Sequence, residues 1–385
     1  MNKKKILLSA AVTSMIAVTG AVLVINGNLK GLSVFATNGE VWYHYAEIAP
    51  TSTRHGSKEF WASSSDGCAT HQFVNPGVAS IDRNFLDNEY FYSLTKEDDR
   101  YIAPTSSSPR INGDGETGDT ITYGIYPRTV ITDEELVSNL NNDAKEQTNG
   151  WFLYRGEYYA KVSATPNSSS YKFDNGTTIS SGTTYWFKCE PIVWNVLNNN
   201  NGEYYIVSSV LLDAHCYYNS TSTRTIDGQT VYANNYKYSD IRTWLNEDFY
   251  NSAFALGNSH IQTTTVDNSA ATTNSTSNSY ACANTEDEVF LPSYKDYINS
   301  SYGFSTSTGS TDTRYCKTTD WARVRGAYLL SQTGTYAKHS YYWTRSPRPD
   351  GSHYAWIVDG NGYLDYSDVI DTTVSVRPGL SITIA

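Results

Sequence analysis

Apolar positions near the end of the chain recur with a period of two. Tyr354, Trp356, Tyr363 and Tyr366 alternate with Ala355, Ile357, Leu364 and small polar residues, and Val374, Val376, Leu380 and Ile382 alternate in turn. That spacing belongs to pleated strands with one face covered, so the segment predicts short antiparallel strands. Asn361-Gly362 between two of the runs predicts a type I′ hairpin turn. Glu190–Leu197 and Glu203–Leu212 predict a second strand pair, joined by an Asn-rich turn that ends in Asn201-Gly202.

Elsewhere the period lengthens to that of a helix. Thr132-Asp133-Glu134-Glu135 is a T-x-x-E capping box, so a helix starts there and runs through Leu136 and Leu140. Behind a Ser239 cap, Ile241, Trp244, Leu245 and Phe249 fall at i, i+3, i+4 and i+8 and share one apolar face. A third helix is expected from Ser293, with Asp296 three residues on, and a fourth over Asp320–Tyr328. Four Ser/Thr/Asn/Gly-rich insertions, Asn167–Thr184, Asn219–Thr230, Asn258–Ser279 and Ser305–Thr313, bury little and are expected at the surface. Strands with a few helices and no β-α-β rhythm imply an α+β fold. Its first strand, Thr120–Tyr126, and its last, within Val374–Ile382, are expected to pair close together.

The N-terminus follows a different logic. Lys3, Lys4 and Lys5 precede an apolar run from Ile6 to Ile25, and Val34-Phe35-Ala36 ends in small residues at −3 and −1. This is the pattern of a secretory signal over residues 1–36, cleaved after Ala36, with an uncleaved membrane anchor as the alternative. Either way the remainder is expected at the cell surface or outside the cell. Residues 37–103 form a small aromatic-rich module, residues 104–118 a Ser/Pro/Gly linker, and residues 119–385 one continuous domain.

Composition narrows the function. With 32 Tyr and 9 Trp the chain is too aromatic for disorder, and a net charge of −11 leaves no electrostatic footprint for nucleic acid or anionic lipid. The five cysteines, 68, 189, 216, 282 and 316, are too few and odd in number for a disulfide framework. Cys282 with Cys316 is one conceivable pair, and buried free thiols are the alternative.

No phosphate-binding loop, nucleophile elbow or H-E-x-x-H pattern occurs. Cys68 and His71, with His44 and His55 nearby, are weak candidates for zinc, because only one paired ligand set is visible. Asp359, Asn361 and Asp365 hint at calcium, but Tyr363 and Leu364 occupy the fifth and sixth positions of such a loop, which favours a hairpin turn. No cofactor is therefore assigned. Glu286-Asp287-Glu288 is expected as a solvated strand entry. Arg345 and Arg377 each sit before or between Ser, Val and Pro in short rigid contexts, where a guanidinium ties loop carbonyls or a carboxylate. Both are assigned structural roles, as are Trp343 and Trp244.

Tyr123–Arg128, Glu190–Leu197, Tyr205–Ser209, Ser239–Asn246, Asp287–Leu291, Thr319–Ala322, Tyr342–Pro347 and Val376–Leu380 follow in an order and spacing that resemble a bacterial family known as domain of unknown function 6273. The resemblance covers about residues 119–385. It implies a C-type-lectin-like fold, which includes a formylglycine-generating-enzyme-like branch. Arg348-Pro349-Asp350 echoes a calcium-dependent sugar motif of that fold, without the Trp-Asn-Asp that accompanies it, and the enzyme branch's reactive cysteine pair is not found. The C-terminal segment also resembles the variable regions of retroelement-diversified proteins, since Tyr341–Ala385 contains no Lys, Gln, Glu or Met. The N-terminal module loosely resembles a repeat in surface proteins of Gram-positive bacteria, with Ser52 and Ala62-Ser63 where that repeat carries cysteines.

Tyr with Asp, Asn and His on strands and turns is the chemistry of a recognition surface. The expected ligand-binding residues are His353, Tyr354, Asp359, Asn361, Tyr363, Asp365, Tyr366 and Asp368. The expectation is a non-catalytic ligand-binding or adhesion protein for a glycan, protein or peptide. A metal-dependent enzyme of the formylglycine-generating type and a diversified display protein are the alternatives.

Overall fold

A computed structural model describes residues 107–384 apart from Gly156, together with the backbone of three strands nearer the N-terminus. The signal segment, Cys68 and His71 lie outside the described residues. The chain divides into two compact units, the second holding Ser106–Leu153 and Tyr158–Ala385. In the first, β1 (Val41–Ala46), β2 (Glu59–Ser64) and β3 (Gln72–Phe73) pair in that order as an antiparallel sheet.

The second unit opens with β4 (Arg110–Asn112) and β5 (Thr120–Val130), so ordered structure begins inside the segment expected as linker. Helix α1 (Glu134–Asp143) follows, then β6 (Lys145–Glu146), β7 (Phe152–Tyr154), β8 (Glu157–Ser163), β9 (Thr184–Asn200), β10 (Glu203–Ser208) and β11 (Asp213–Ala214). A small hairpin, β12 (Arg224–Ile226) with β13 (Gln229–Val231), precedes α2 (Asp240–Trp244), a π-helical turn over Leu245–Phe249 and α3 (Tyr250–Ala253). After β14 (Ile261–Gln262), β15 (Thr264–Val266) and β16 (Thr285–Asp287) come α4 (Asp320–Val324), β17 (Tyr342–Pro347), β18 (Tyr354–Val358) and β19 (Leu364–Asp368). The chain closes with β20 (Ser375–Val376) and β21 (Gly379–Thr383). This is a mixed α+β domain of mostly antiparallel sheets.

Two sheets carry it. The larger runs β14-β21-β10-β9-β8-β7-β6, with β5 also on β9; the smaller runs β11-β20-β17-β18-β19. Ile121, Trp194, Ile206 and Leu380 from the first join Trp343, Ile357 and Val376 from the second in one apolar cluster, so the core is shared. A second cluster gathers Leu197, Val207, Tyr294, Tyr297, Phe304, Tyr342, Val358 and Leu364. The first and last strands are not neighbours: β9 and β10 stand between β5 and β21. The long β9–β10 hairpin packs on both sides, sending Trp194 and Ile206 into the main cluster and Leu197 and Val207 into the second.

Local signals hold where only neighbouring residues decide. Asn201 and Gly202 both have positive φ, 53° and 92°, as a type I′ turn requires. Ser239 caps α2 by accepting from the Arg242 N–H, and Ile241, Leu245 and Phe249 are buried. The α1 cap is Asp133, which accepts from the Leu136 N–H, one residue after the expected Thr132. Ser293 and Asp296 cap each other reciprocally, yet only a 3₁₀ turn over Asp296–Ile298 follows. Asp287 is a correction: instead of a solvated strand entry it is fully buried, because Arg242 reaches it with Nε at 2.7 Å.

Candidate functional site

The pleat of β18 and β19 sorts their side chains. Tyr354 faces Asp368, Ala355 faces Ser367, Trp356 faces Tyr366, Ile357 faces Asp365 and Val358 faces Leu364. Residues directly opposite share a face. Ala355 and Ile357 enter the main core, so the alternate face presents Tyr354, Trp356, Tyr366 and Asp368. At its far end Val358 and Leu364 are covered by the second cluster.

The uncovered part of that face is aromatic. Tyr354 and Tyr366 meet edge to face with centroids 5.1 Å apart, His353 lies 4.2 Å from Tyr354, and Trp356 packs against Tyr294 at 4.9 Å. The Arg348 guanidinium sits 3.4 Å over the Tyr366 ring and pairs with Asp350 at 2.7 Å. Trp356 donates from Nε1 to Asn274 Oδ1 at 3.2 Å. Tyr363, Ile370 and Tyr366 are 47%, 45% and 40% exposed, and they are the exposed large hydrophobic residues among the described ones. All three fall on this hairpin or the turn just after it.

The eight expected residues are not one surface. Tyr354, Tyr366 and Asp368 share the aromatic face with His353 at its margin, and Tyr363 projects at the hairpin tip. Asp359 and Asn361 build the turn: Asp359 Oδ1 accepts from the Gly360 N–H and Asn361 Oδ1 from the Tyr363 N–H. Burial pushes the Asp359 carboxyl up from the ordinary carboxylate range. Asp365 belongs to the opposite face, opposite Ile357, and accepts from the Tyr366 N–H. Trp356 and Arg348 complete the face although neither was among the expected eight. The signal for Trp356 was present, since it shares parity with Tyr354.

The expected type I′ turn at Asn361-Gly362 does not form. Gly362 is left-handed, with φ of 78°, while Asn361 is not, so the loop is three residues long with a glycine closing it. A Cβ on Gly362 would lie 2.0 Å from the Thr311 carbonyl oxygen, so the tip is pressed onto the Ser305–Thr313 loop. The fully buried Arg314 holds both, donating to Gly362 O and to carbonyls of that loop.

Beneath the site, Arg345 donates to Leu291 O at 2.9 Å, Asp267 O at 3.2 Å and Asp296 Oδ2 at 3.0 Å. Arg377 donates to Ser208 O and to the Tyr342 hydroxyl, each at 3.0 Å. Trp343 is fully buried and donates to His215 O, and Trp244 stacks on the His215 ring at 5.3 Å. Replacing Arg345 with Ala is expected to raise hydrogen exchange in β17 and β18 without removing any group of the aromatic face. Unchanged exchange there would show that these bonds do not hold the hairpin.

Cys189, Cys216, Cys282 and Cys316 are all free. Cys282 packs against the main core cluster and Cys316 lies in the second, and burial pushes both thiols up. Among the described residues no group of three or more His, Cys, Asp or Glu side chains is arranged to hold a metal ion.

No curated protein and no solved structure gave a significant match to the chain. A match to a family model begins at Asn201, so the motifs at Tyr123–Arg128 and Glu190–Leu197 fall before it. Residues 201–384, which hold β10 to β21 and the whole aromatic hairpin, match the family described as Domain of unknown function (DUF6273) and support that family for this part of the chain.

Proposed function

We propose that this is an exported, non-catalytic binding protein that meets its ligand with the β18–β19 hairpin. The observation that carries the reading is the aromatic face itself, where the exposed Tyr366 meets Tyr354 edge to face and lies under the Arg348 guanidinium, which also reaches Trp356, while Tyr363 and Ile370 are exposed at the two ends of the same strand. The exposed large hydrophobic residues among the described ones all fall along this one hairpin and the turn after it, and a concentration of apolar surface is the usual mark of an interaction site. Tyr supplies contact area at low entropic cost, and the neighbouring Asp368 and Arg348 supply direction. A glycan, protein or peptide fits this chemistry. The C-type-lectin-like reading rests on the motif order and on a second sheet that bears the terminal loops. The two strands between β5 and β21 depart from the terminal pairing expected of it.

Replacing Tyr363 and Tyr366 together with Ala is expected to abolish binding on a glycan array and in pull-downs with the mature chain. Stability should change by no more than about 0.5 kcal/mol, as for surface substitutions. A large loss of stability would assign both rings to packing and end the proposal. Mass spectrometry of the mature N-terminus tests export, a start at Thr37 being the expected result.

A further inference from the structure

We infer that a cavity lined by none of the aromatic-face residues, between the Lys172–Gly176 turn and the Leu329–Lys338 loop, is a second binding site, for a small hydroxylated carboxylate of the uronic-acid class. The cavity has a volume of about 330 Å³ and is lined by Lys172, Phe173, Asp174, Leu329, Gln332 and Lys338 among others. That is the size range of small-ligand sites, and the mixture of an apolar floor with a few converging polar groups is their usual make-up. Phe173 and Leu329, both buried, form the apolar part.

The polar rim is fixed from below. Arg323 is fully buried and bonds through Nη2 to the carboxylates of both Asp174 and Asp320, and through Nη1 to the Thr318 carbonyl at 3.2 Å. The Asp174 N–H donates to Asp320 Oδ1 at 2.7 Å, so backbone and side chain of Asp174 are held by one network. Lys338 Nζ sits 2.7 Å from Asp174 Oδ1, the oxygen that Arg323 also engages. These bonds hold Asp174 in place; partial burial raises its pKa, but the Lys338 and Arg323 contacts outweigh it and lower the carboxyl below its ordinary value.

The backbone of Lys338 supports the same reading. Its φ is 65°, a left-handed conformation unfavourable for a residue with a long side chain. The other positive-φ residues that are not glycine among the described ones, Arg155, Asn201 and Asp227, stand between consecutive strands, β7–β8, β9–β10 and β12–β13. Lys338 does not. Its N–H donates to Ser331 O at 2.8 Å and its carbonyl accepts from the Thr318 N–H at 2.9 Å, so the loop enforces the conformation from both sides. Strain enforced in this way at a cavity rim points to function.

Charge selects the ligand. Lys172, Lys338 and Arg323 oppose Asp174 and Asp320 here, an excess of cation in a chain whose net charge is −11. Lys172 makes no ion pair among the described residues. An incoming carboxylate gains Lys172 and shares Lys338, while ligand hydroxyls find Asp174 and Gln332 as partners.

The test is titration of the mature protein with sodium glucuronate, followed by calorimetry or ligand-observed NMR, with glucose as the neutral control. Glucuronate should bind saturably, and glucose at least about tenfold more weakly, the effect of one lost charge-assisted bond. Lys172→Gln and Lys338→Asn should each weaken glucuronate about tenfold. Asparagine tolerates the left-handed backbone, so the Lys338→Asn melting temperature should stay level or rise, which separates ligand loss from unfolding. The Tyr363/Tyr366 double variant should bind glucuronate normally. Absence of saturable binding at millimolar glucuronate, equal binding of glucose, or unchanged affinity in both lysine variants would each overturn the inference.

Discussion

Replacing Arg314 with methionine is expected to destabilise the domain by about 3–5 kcal/mol, the cost of leaving a buried polar network without its central partner. The guanidinium is fully buried and donates to Gly362 O at 2.7 Å, Tyr297 O at 3.0 Å, Ser305 O at 3.0 Å, Ser307 O at 2.8 Å and Gly309 O at 2.6 Å. Those five bonds use every N–H that the fork offers. The Ser305–Thr313 loop is polar throughout and has no apolar side chain with which to anchor itself. Its shape therefore depends on carbonyls that converge on one cation. Methionine fills much of the volume but leaves all five acceptors without a donor. Lysine should rescue poorly, because a point ammonium has three donors and no planar fork. Denaturant midpoints give the energy, and hydrogen exchange should rise in residues 305–313 and 359–363 together. A loss below about 1 kcal/mol would show that water replaces the guanidinium at little cost.

Asp213→Ala is expected to cost a similar amount, about 3–5 kcal/mol, through a different part of the core. The carboxylate is 2% exposed and joins three elements. Tyr126 of β5 donates its hydroxyl to Oδ2 at 2.8 Å, Trp321 of α4 donates Nε1 to the same oxygen at 2.9 Å, and Arg325 donates Nε to Oδ1 at 3.2 Å. Burial, with the Asp213 charge beside it, pushes the Tyr126 phenol well above its ordinary range, so it stays a neutral donor. Arg325 is 37% exposed in its side chain, so solvent screens much of that ion pair, and most of the loss comes from stranding the Tyr126 and Trp321 donors. Asp213→Asn keeps one acceptor oxygen and should lose roughly half as much. Thermal or chemical melts of both variants test the order. Equal losses for Asn and Ala would mean that the charge, rather than the acceptor positions, holds the joint. Because β11 belongs to the smaller sheet and β5 to the larger, the Ala variant should also loosen the contact between them.

The same division between local and distant causes explains how far the sequence could be read. The period of two in Tyr354–Val358 is set by the pleat alone, and the structure keeps it: Ala355 and Ile357 go inward while Trp356 shares a face with Tyr366. Likewise the Ser239 cap and the apolar stripe behind it need only residues within two turns, and Asn201-Gly202 needs only its own two φ angles. An α+β domain with strands and turns near these positions was therefore legible.

What failed to be legible depended on segments far apart in the chain. Asn361-Gly362 has the same letters as Asn201-Gly202 but a different turn, because the Thr311 backbone presses on Gly362 and Arg314 binds its carbonyl. Asp287 looked solvated among its acidic neighbours until Arg242, 45 residues earlier, covered it. Periodicity also cannot order strands within a sheet, so the placing of β9 and β10 between the first and last strands came only from tertiary structure. Grouping followed the same rule. Residue type marked Tyr354, Asp359, Asp365 and Tyr366 alike as polar or aromatic surface, whereas the fold put two on the aromatic face, one in the turn and one on the opposite face. Which side chains share a strand face follows from backbone geometry over a few residues, so the sequence alone settles it. Which face water reaches is decided by whatever packs against it, and here that packing comes from elements tens to hundreds of residues away.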